Sequence, residues 1–202
     1  MTDTILETKK PSGITPSQTV GPFFHYMLTP HAYATAEIFT ADLTTETDVS
    51  NTIHITGRVL DADGVPMADA YVEIWQADAL GTYATTEAVL TGNHRPFHGF
   101  GRCDTNKDGV FSFKTIKPGR VVQTNGTKQA PHIAVNLFGR GMLKHLTTRF
   151  YFADEPANGT DAILNLVPAA RRKTLLLVPG PAGVYIQDIR LGGPDETVFL
   201  AV

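Results

Sequence analysis

The sequence has 202 residues, enough for one domain with a sizeable core, and its formal net charge of −3, without any block of basic residues, gives no reason to expect a nucleic acid or an anionic membrane as partner. Cys103 is the only cysteine, which excludes an internal disulfide and a zinc site built from cysteines. Residues 1–7 lack the features of a signal peptide and no apolar run is long enough to span a membrane, so we expect a cytoplasmic location.

The N-terminal quarter of the chain differs from the rest. Residues 1–50 contain few strand patterns and many Thr, Ala and Pro, and we interpret them as an arm with loops that docks on another surface. Residues 51–202 contain short apolar stretches rich in Val, Ile, Phe and Thr, separated by turn signals such as Asp63-Gly64 and Asp108-Gly109. This pattern predicts an all-β fold, a β-sandwich of mostly antiparallel strands with long loops and little helix.

The predicted strands follow one another at short intervals, and the alternation of apolar and polar residues is clearest near the C-terminus. No long stretch keeps a helical period, and one short helix is expected over Ala162–Arg172. The strands are predicted at Thr52–Leu60, Ala70–Trp75, Val110–Thr115, His132–Phe138, Thr147–Phe152, Thr174–Val178, Val184–Leu191 and Thr197–Ala201.

Taken by themselves, the residues show no complete catalytic centre. The seven histidines are scattered, and none forms the H-x-H or H-E-x-x-H spacing that places two imidazoles on one metal. Asp104–Gly109 matches the first half of a calcium loop, but Thr115 stands where that loop needs a glutamate, so a hairpin turn is the better interpretation. The sequence also lacks a G-x-S-x-G nucleophile and a phosphate-binding glycine loop.

Several segments together resemble the intradiol ring-cleavage dioxygenases. The signature strand of that family is matched by Ala70–Asp78 with Gly81-Thr82-Tyr83, and the resemblance runs from about residue 14 to the C-terminus. The further matching segments are Gly99–Arg102, Phe111–Gly119, Ala130–Ile133, Arg149–Phe152, Arg171–Leu175, Asp188–Leu191 and Glu196–Phe199.

The resemblance also implies what this chain lacks. Catalytic members of the family hold a non-haem Fe(III) with two tyrosines and two histidines. Val121 takes the position of one tyrosine and Ala134 that of one histidine, while Ala84–Arg95, where the other tyrosine is expected, contains none. His132 is the ligand position that remains, and we interpret it as a structural relic bonded within the core. The resemblance thus implies that this chain binds no metal and carries no catalytic residue.

This pattern, together with Thr15–Phe23, is similar to the iron-free subunit of a two-subunit member of the family. The resemblance implies a homologous beta subunit that binds the Fe(III), and an assembly of such pairs into a symmetric oligomer whose size stays open. The implied reaction is cleavage of protocatechuate with O2 to 3-carboxy-cis,cis-muconate. The expected pocket-lining residues are Thr19, Gly21 and Pro22, with Arg140 as counter-charge for the ring carboxylate of the substrate.

Two alternatives remain on the sequence. A self-sufficient catechol dioxygenase homodimer would need the missing tyrosines and an N-terminal helical dimerisation region, which the sequence does not show. A non-enzymatic binding module with a transthyretin-like sandwich would be stable alone, with its arm folded back. Iron bound by the purified chain would favour the first alternative, and independence from any iron-bearing partner would favour the second.

Overall fold

A computed structural model of the chain describes residues 21, 28–30, 39–45, 51–84 and 97–201. Short helical segments follow the sixth strand: one α-helix, α1 (Ala162–Leu166), and 3-10 turns at Pro156–Thr160, Ala169–Leu175 and Pro181–Gly183. The strands are β1 (Thr52–Leu60), β2 (Ala70–Gln76), β3 (Phe100–Asp104), β4 (Val110–Ile116), β5 (His132–Gly139), β6 (Leu146–Phe152), β7 (Leu176–Pro179), β8 (Val184–Ile186) and β9 (Ile189–Arg190).

One hydrogen-bonded path joins the strands in the order β3-β2-β5-β6-β7-β8-β1-β4, and β9 pairs with β1 beside that path. Most neighbours are antiparallel, while β6–β7 and the pairings of β1 with β8 and β9 are parallel. The result is a nearly closed, barrel-like sheet. The prediction of an all-β fold with little helix is confirmed.

A buried amide ties β2, next to one end of this path, to β4 at the other end. Gln76 on β2 is fully buried, and its Nε2 donates to the Ile116 carbonyl oxygen at 2.9 Å. Its Oε1 accepts from the Thr115 hydroxyl on β4, also at 2.9 Å. Because an unpaired buried amide would be costly, the bonds on both ends of this side chain hold β2 against β4.

The main core is enclosed by the curved sheet. Inward-facing apolar side chains alternate along the strands, as the pleat requires. Fully buried members come from both halves of the sheet, and they include Ile55, Phe113, Val72, Ile133 and Phe150.

The sequence does not predict β3. In this strand Gly101 follows Phe100 and is followed by Arg102 and Cys103, so the strand lacks the apolar alternation of the others. A Cβ on Gly101 would lie 2.4 Å from the Leu43 side chain, which explains why the position has no side chain. The charge of Arg102 is paired across the ladder, since its Nε donates to Glu73 on β2 at 2.9 Å.

The predicted helix over Ala162–Arg172 is wrong in its second half. α1 ends at Leu166 because Pro168 has no N–H to donate and disfavours helical geometry at Val167, which is extended at φ −78° and ψ 130°. The following 3-10 turn includes the first two residues of the strand predicted at Thr174–Val178, and β7 begins only at Leu176. No helix in the described part of the chain is long and apolar enough to cross a membrane.

The strand predicted at Val184–Leu191 is interrupted between β8 and β9. There the Arg58 backbone N–H donates to the carboxylate of Asp188 at 2.9 Å instead of to a backbone carbonyl. Opposite, the Gln187 carbonyl comes so close to Gly57 that a Cβ on that glycine would lie 1.8 Å from the oxygen. The strand predicted at Thr197–Ala201 is wrong too, because that segment forms only an isolated bridge to β6.

Candidate functional site

His132 opens β5 and lies in the interior, with 2 % of its surface exposed. Its Nδ1 is 2.8 Å from the carbonyl oxygen of Ala130. A carbonyl can only accept, so Nδ1 carries the proton and Nε2 is left as an acceptor. The Tyr83 hydroxyl lies 3.3 Å from Nε2 and donates to it. Both ring nitrogens of His132 are therefore bonded within the chain.

A buried carboxylate fixes the start of β5. Asp161 accepts a hydrogen bond from the Ala130 backbone N–H at 2.8 Å and one from the Tyr151 hydroxyl at 3.1 Å. Its Oδ1 also caps α1 by accepting two backbone N–H groups of the first turn at 2.8 and 3.0 Å. Tyr151 stands directly opposite His132 in the β5–β6 register. One side chain thus joins α1, β5 and β6 beside the histidine.

A tight turn after β2 brings Tyr83 to the histidine. The Asp78 carboxylate accepts two backbone N–H groups of this turn at 2.8 and 2.9 Å. Gly81 has a left-handed φ of 81° and packs so closely that an added Cβ would lie 2.1 Å from the Arg120 carbonyl oxygen. The Tyr83 ring stacks on Trp75 with 5.8 Å between centroids.

Sequence reasoning missed Tyr83. It looked for the family's tyrosine in Ala84–Arg95, of which only Ala84 lies within the described residues. The tyrosine that contacts His132 comes directly before that stretch, within the Gly81-Thr82-Tyr83 signature that carries the resemblance. The turn geometry was needed to see that this signature residue points at the histidine.

The two positions at which the resemblance implies lost ligands, Val121 and Ala134, are both half-buried. Val121 is half-buried in the loop after β4, where its carbonyl oxygen accepts from the Gln129 N–H at 2.9 Å. Ala134 is half-buried on β5, on the same face as His132, and pairs with Arg149 on β6. We call the group formed by Tyr83, His132, Ala134 and Arg149 the His132 pocket.

The electrostatics of the His132 pocket favour neutral side chains beside one cation. Burial lowers the pKa of His132, and the Arg149 guanidinium acts in the same direction. Burial raises the pKa of the Tyr83 phenol, although Arg149 opposes that shift. At neutral pH the pocket therefore contains a protonated phenol, a neutral imidazole and a guanidinium.

This donor set does not fit a ferric ion, which prefers anionic oxygen ligands and imidazole. The Tyr83 phenol is protonated and occupies the free nitrogen of His132. Val121 and Ala134 offer no donor, and the Arg149 charge repels a cation. In the described ranges, no group of three or more His, Cys, Asp or Glu side chains is placed to hold a metal.

Arg140, predicted to meet a substrate carboxylate, stands at the tip of the β5–β6 hairpin. Its Nε lies 2.7 Å from Asp69 Oδ2, and 76 % of its side chain is exposed. β5 runs from His132 to Gly139, about 23 Å at the strand rise per residue, so Arg140 lies beyond the opposite end of that strand from the histidine. Gly21 is half-buried with open space where a Cβ would stand, while Thr19 and Pro22 fall outside the described residues.

Comparison with known proteins assigns most of the sequence to one family. A family model described as "Dioxygenase" matches residues 20–179. The chain is 41 % identical to the protocatechuate 3,4-dioxygenase alpha chain of Burkholderia cepacia, over 93 % of this chain and 97 % of the relative. It is 38 % identical to the alpha chain from Pseudomonas putida, over 92 % of this chain and 94 % of the relative. The Burkholderia cepacia beta chain is 37 % identical, over 72 % of this chain and 66 % of the relative.

Solved structures agree on the fold. The dioxygenase domain of a carbohydrate-binding fusion protein from Streptomyces sp. SirexAA-E matches 90 % of this chain and 99 % of its own, with 27 % identity and a TM-score of 0.58. Hydroxyquinol 1,2-dioxygenase from Pseudomonas putida DLL-E4 matches 90 % of this chain and 68 % of its own with a TM-score of 0.59. Its 18 % identity supports the shared fold alone.

Proposed function

Because the chain belongs to the intradiol dioxygenase family, we propose that it is the alpha chain of a protocatechuate 3,4-dioxygenase. In this role it shapes the substrate pocket of a homologous beta chain that binds the non-haem Fe(III). The complex cleaves protocatechuate with O2 to 3-carboxy-cis,cis-muconate. Similarity to two alpha chains over nearly their full length supports this assignment, and similarity to a beta chain supports a homologous partner.

The main support for the proposal is that the side chains of the His132 pocket cannot ligate a ferric ion. A family of iron enzymes needs a ferric site, and the groups around His132 do not fit one. The chain therefore contributes to catalysis through binding and positioning while a partner supplies the metal. A self-sufficient homodimer would require the missing donors. A binding module without enzymatic activity would not account for the similarity to two dioxygenase alpha chains over nearly their full length.

The position of Arg140 supports the second part of the proposal. Its guanidinium projects from the hairpin tip at the opposite end of β5 from the His132 pocket, so a substrate that it contacts is held by another chain. The planar fork of arginine suits a carboxylate such as the one on the protocatechuate ring. Thr19, Gly21 and Pro22 are proposed to line the same substrate pocket, and the open space at Gly21 leaves room for a partner's backbone.

The remaining features follow the same proposal. Residues 1–50 act as the docking arm and residues 51–202 as the sandwich domain, whose two halves pack face to face. The shared core formed by side chains from both halves supports this packing. Pairs of alpha and beta chains assemble into a symmetric oligomer in the cytoplasm.

Expression of the chain alone and with a ligand-complete homologue tests the proposal. The lone chain should contain no stoichiometric iron, show no burgundy ferric-tyrosinate colour and cleave no ring. The co-purified complex should contain one iron per beta chain, show the burgundy colour and cleave the ring. Stoichiometric iron and ring-opening turnover from the lone chain would contradict the proposal, as would full activity of the homologue without this chain.

Arg140→Ala in the complex should raise KM for protocatechuate about tenfold to hundredfold, because a charge-assisted bidentate contact contributes about 1.5–3 kcal/mol. KM for catechol, which has no carboxylate, should change little. The measurement is steady-state kinetics on both substrates. Arg58→Ala removes an exposed guanidinium on β1 and serves as the matched control. Equal changes for both substrates would show that Arg140 does not recognise the carboxylate.

A further inference from the structure

Arg149 presents a charged N–H group without a partner. Its Nη1 is buried and makes no hydrogen bond within the described residues. None of the ion pairs found there includes Arg149. A buried donor left unpaired costs about 1–3 kcal/mol, and more when it is charged. Such a group in a folded protein indicates a missing water or ion.

Among the described residues, the nearby carboxylate of Asp161 forms no ion pair with Arg149. Asp161 contributes to the electrostatics around His132, but its oxygens are already used by four donors. These donors are the Ala130 and α1 backbone N–H groups and the Tyr151 hydroxyl. An acceptor for the Nη1 of Arg149 therefore has to come from outside this network.

The residues beside Arg149 across the sheet form an apolar wall. Ala134, directly across the ladder, has a methyl group and is only half-buried. Trp75 flanks Ala134 on the other side of β5, is 37 % exposed and stacks on Tyr83. Trp75, Ala134 and Arg149 thus form a row across three strands, with the stacked Trp75 and Tyr83 rings at its β2 end.

We propose that the His132 pocket binds a small organic carboxylate, with the carboxylate on the Arg149 guanidinium and the apolar body against Trp75 and Tyr83. One cation matches a single negative charge, whereas a phosphate dianion would need further donors. The apolar wall favours an organic anion over an inorganic one. This binding site goes beyond the proposed function, and its test does not require the beta chain.

Fluorescence of Trp75 can report binding, because it is the only tryptophan of the chain. The full iron-free chain is titrated with benzoate and, separately, with benzamide, which has the same shape but no charge. Benzoate should give a saturable change and benzamide should not. Acetate, which lacks the aromatic body, should bind more weakly than benzoate. No saturable benzoate response up to millimolar concentration, or equal affinity for any two of the three probes, would overturn the proposal.

Substitutions then assign the binding to Arg149. Arg149→Gln should weaken benzoate at least tenfold, while Arg58→Gln, the same change at an exposed arginine, should leave affinity unchanged. Circular dichroism verifies that each variant is folded. If Arg149→Gln does not fold, Arg149→Lys is used instead, because lysine keeps the charge but lacks the planar guanidinium. The Lys variant should bind benzoate more weakly than wild type does and should still prefer benzoate to benzamide. Unchanged benzoate affinity in a folded Gln variant, or loss of that preference in the Lys variant, would show that Arg149 holds no carboxylate.

Discussion

Replacing Asp161 with alanine is expected to lower the free energy of unfolding by about 4 kcal/mol. The side chain is fully buried and accepts four hydrogen bonds. Its loss removes the cap of α1 and leaves the Ala130 N–H and the Tyr151 hydroxyl unpaired in the interior. Urea unfolding followed by circular dichroism measures the difference.

Two variants sharpen this measurement. Asp161→Asn keeps one oxygen, which can still cap α1, but its amide nitrogen would face another donor at Ala130, so an intermediate loss is expected. Asp63→Ala removes an exposed carboxylate in the β1–β2 turn and should change stability by less than about 0.5 kcal/mol. If Asp161→Ala cost as little as Asp63→Ala, the Asp161 network would not anchor the start of β5.

Gly57→Ala is expected to cost about 3 kcal/mol, for a different reason. The added Cβ would lie 1.8 Å from the Gln187 carbonyl oxygen and 3.0 Å from the Phe111 ring. Because the first contact is with backbone, a side-chain rotation cannot relieve it, and the β1 pairing with β8 and β9 has to shift. Thermal and urea unfolding should both show the loss.

Gly159→Ala is the matched control for that substitution. No atom lies within 4 Å of a Cβ at Gly159, and its φ is not left-handed. This variant should unfold within about 0.5 kcal/mol of wild type. A Gly57→Ala variant equally stable would mean that β1 and the segment between β8 and β9 are less closely packed than described.

The sequence predicts those parts of the fold that depend on local pattern. The bounds of β1 are the predicted ones, and β5 and β6 differ from theirs by one residue, because apolar alternation and Asp-Gly turns are properties of neighbouring residues. The end of α1 could have been predicted from Pro168 by the same kind of rule.

Features that depend on distant contacts could not be predicted in this way. β3 contains a glycine because Leu43 packs against that position. It also contains a charged residue, Arg102, whose partner Glu73 lies on the neighbouring strand. Tyr83 was overlooked because its relation to His132 depends on the turn at Asp78 and on the approach of Gly81 to Arg120. The unpaired Nη1 of Arg149 is likewise a property of the packed pocket and has no signal in the chain.

The parallel pairing of β1 sets the order in which this protein can be completed during synthesis. β1 meets β4 early, but its other edge waits for residues about 130 positions later, near the C-terminus. Until translation delivers them, the nascent polypeptide exposes an unpaired strand edge, a surface prone to aggregation. A product truncated before Val184 keeps that edge permanently, so we expect it to be captured by chaperones or degraded rather than to assemble.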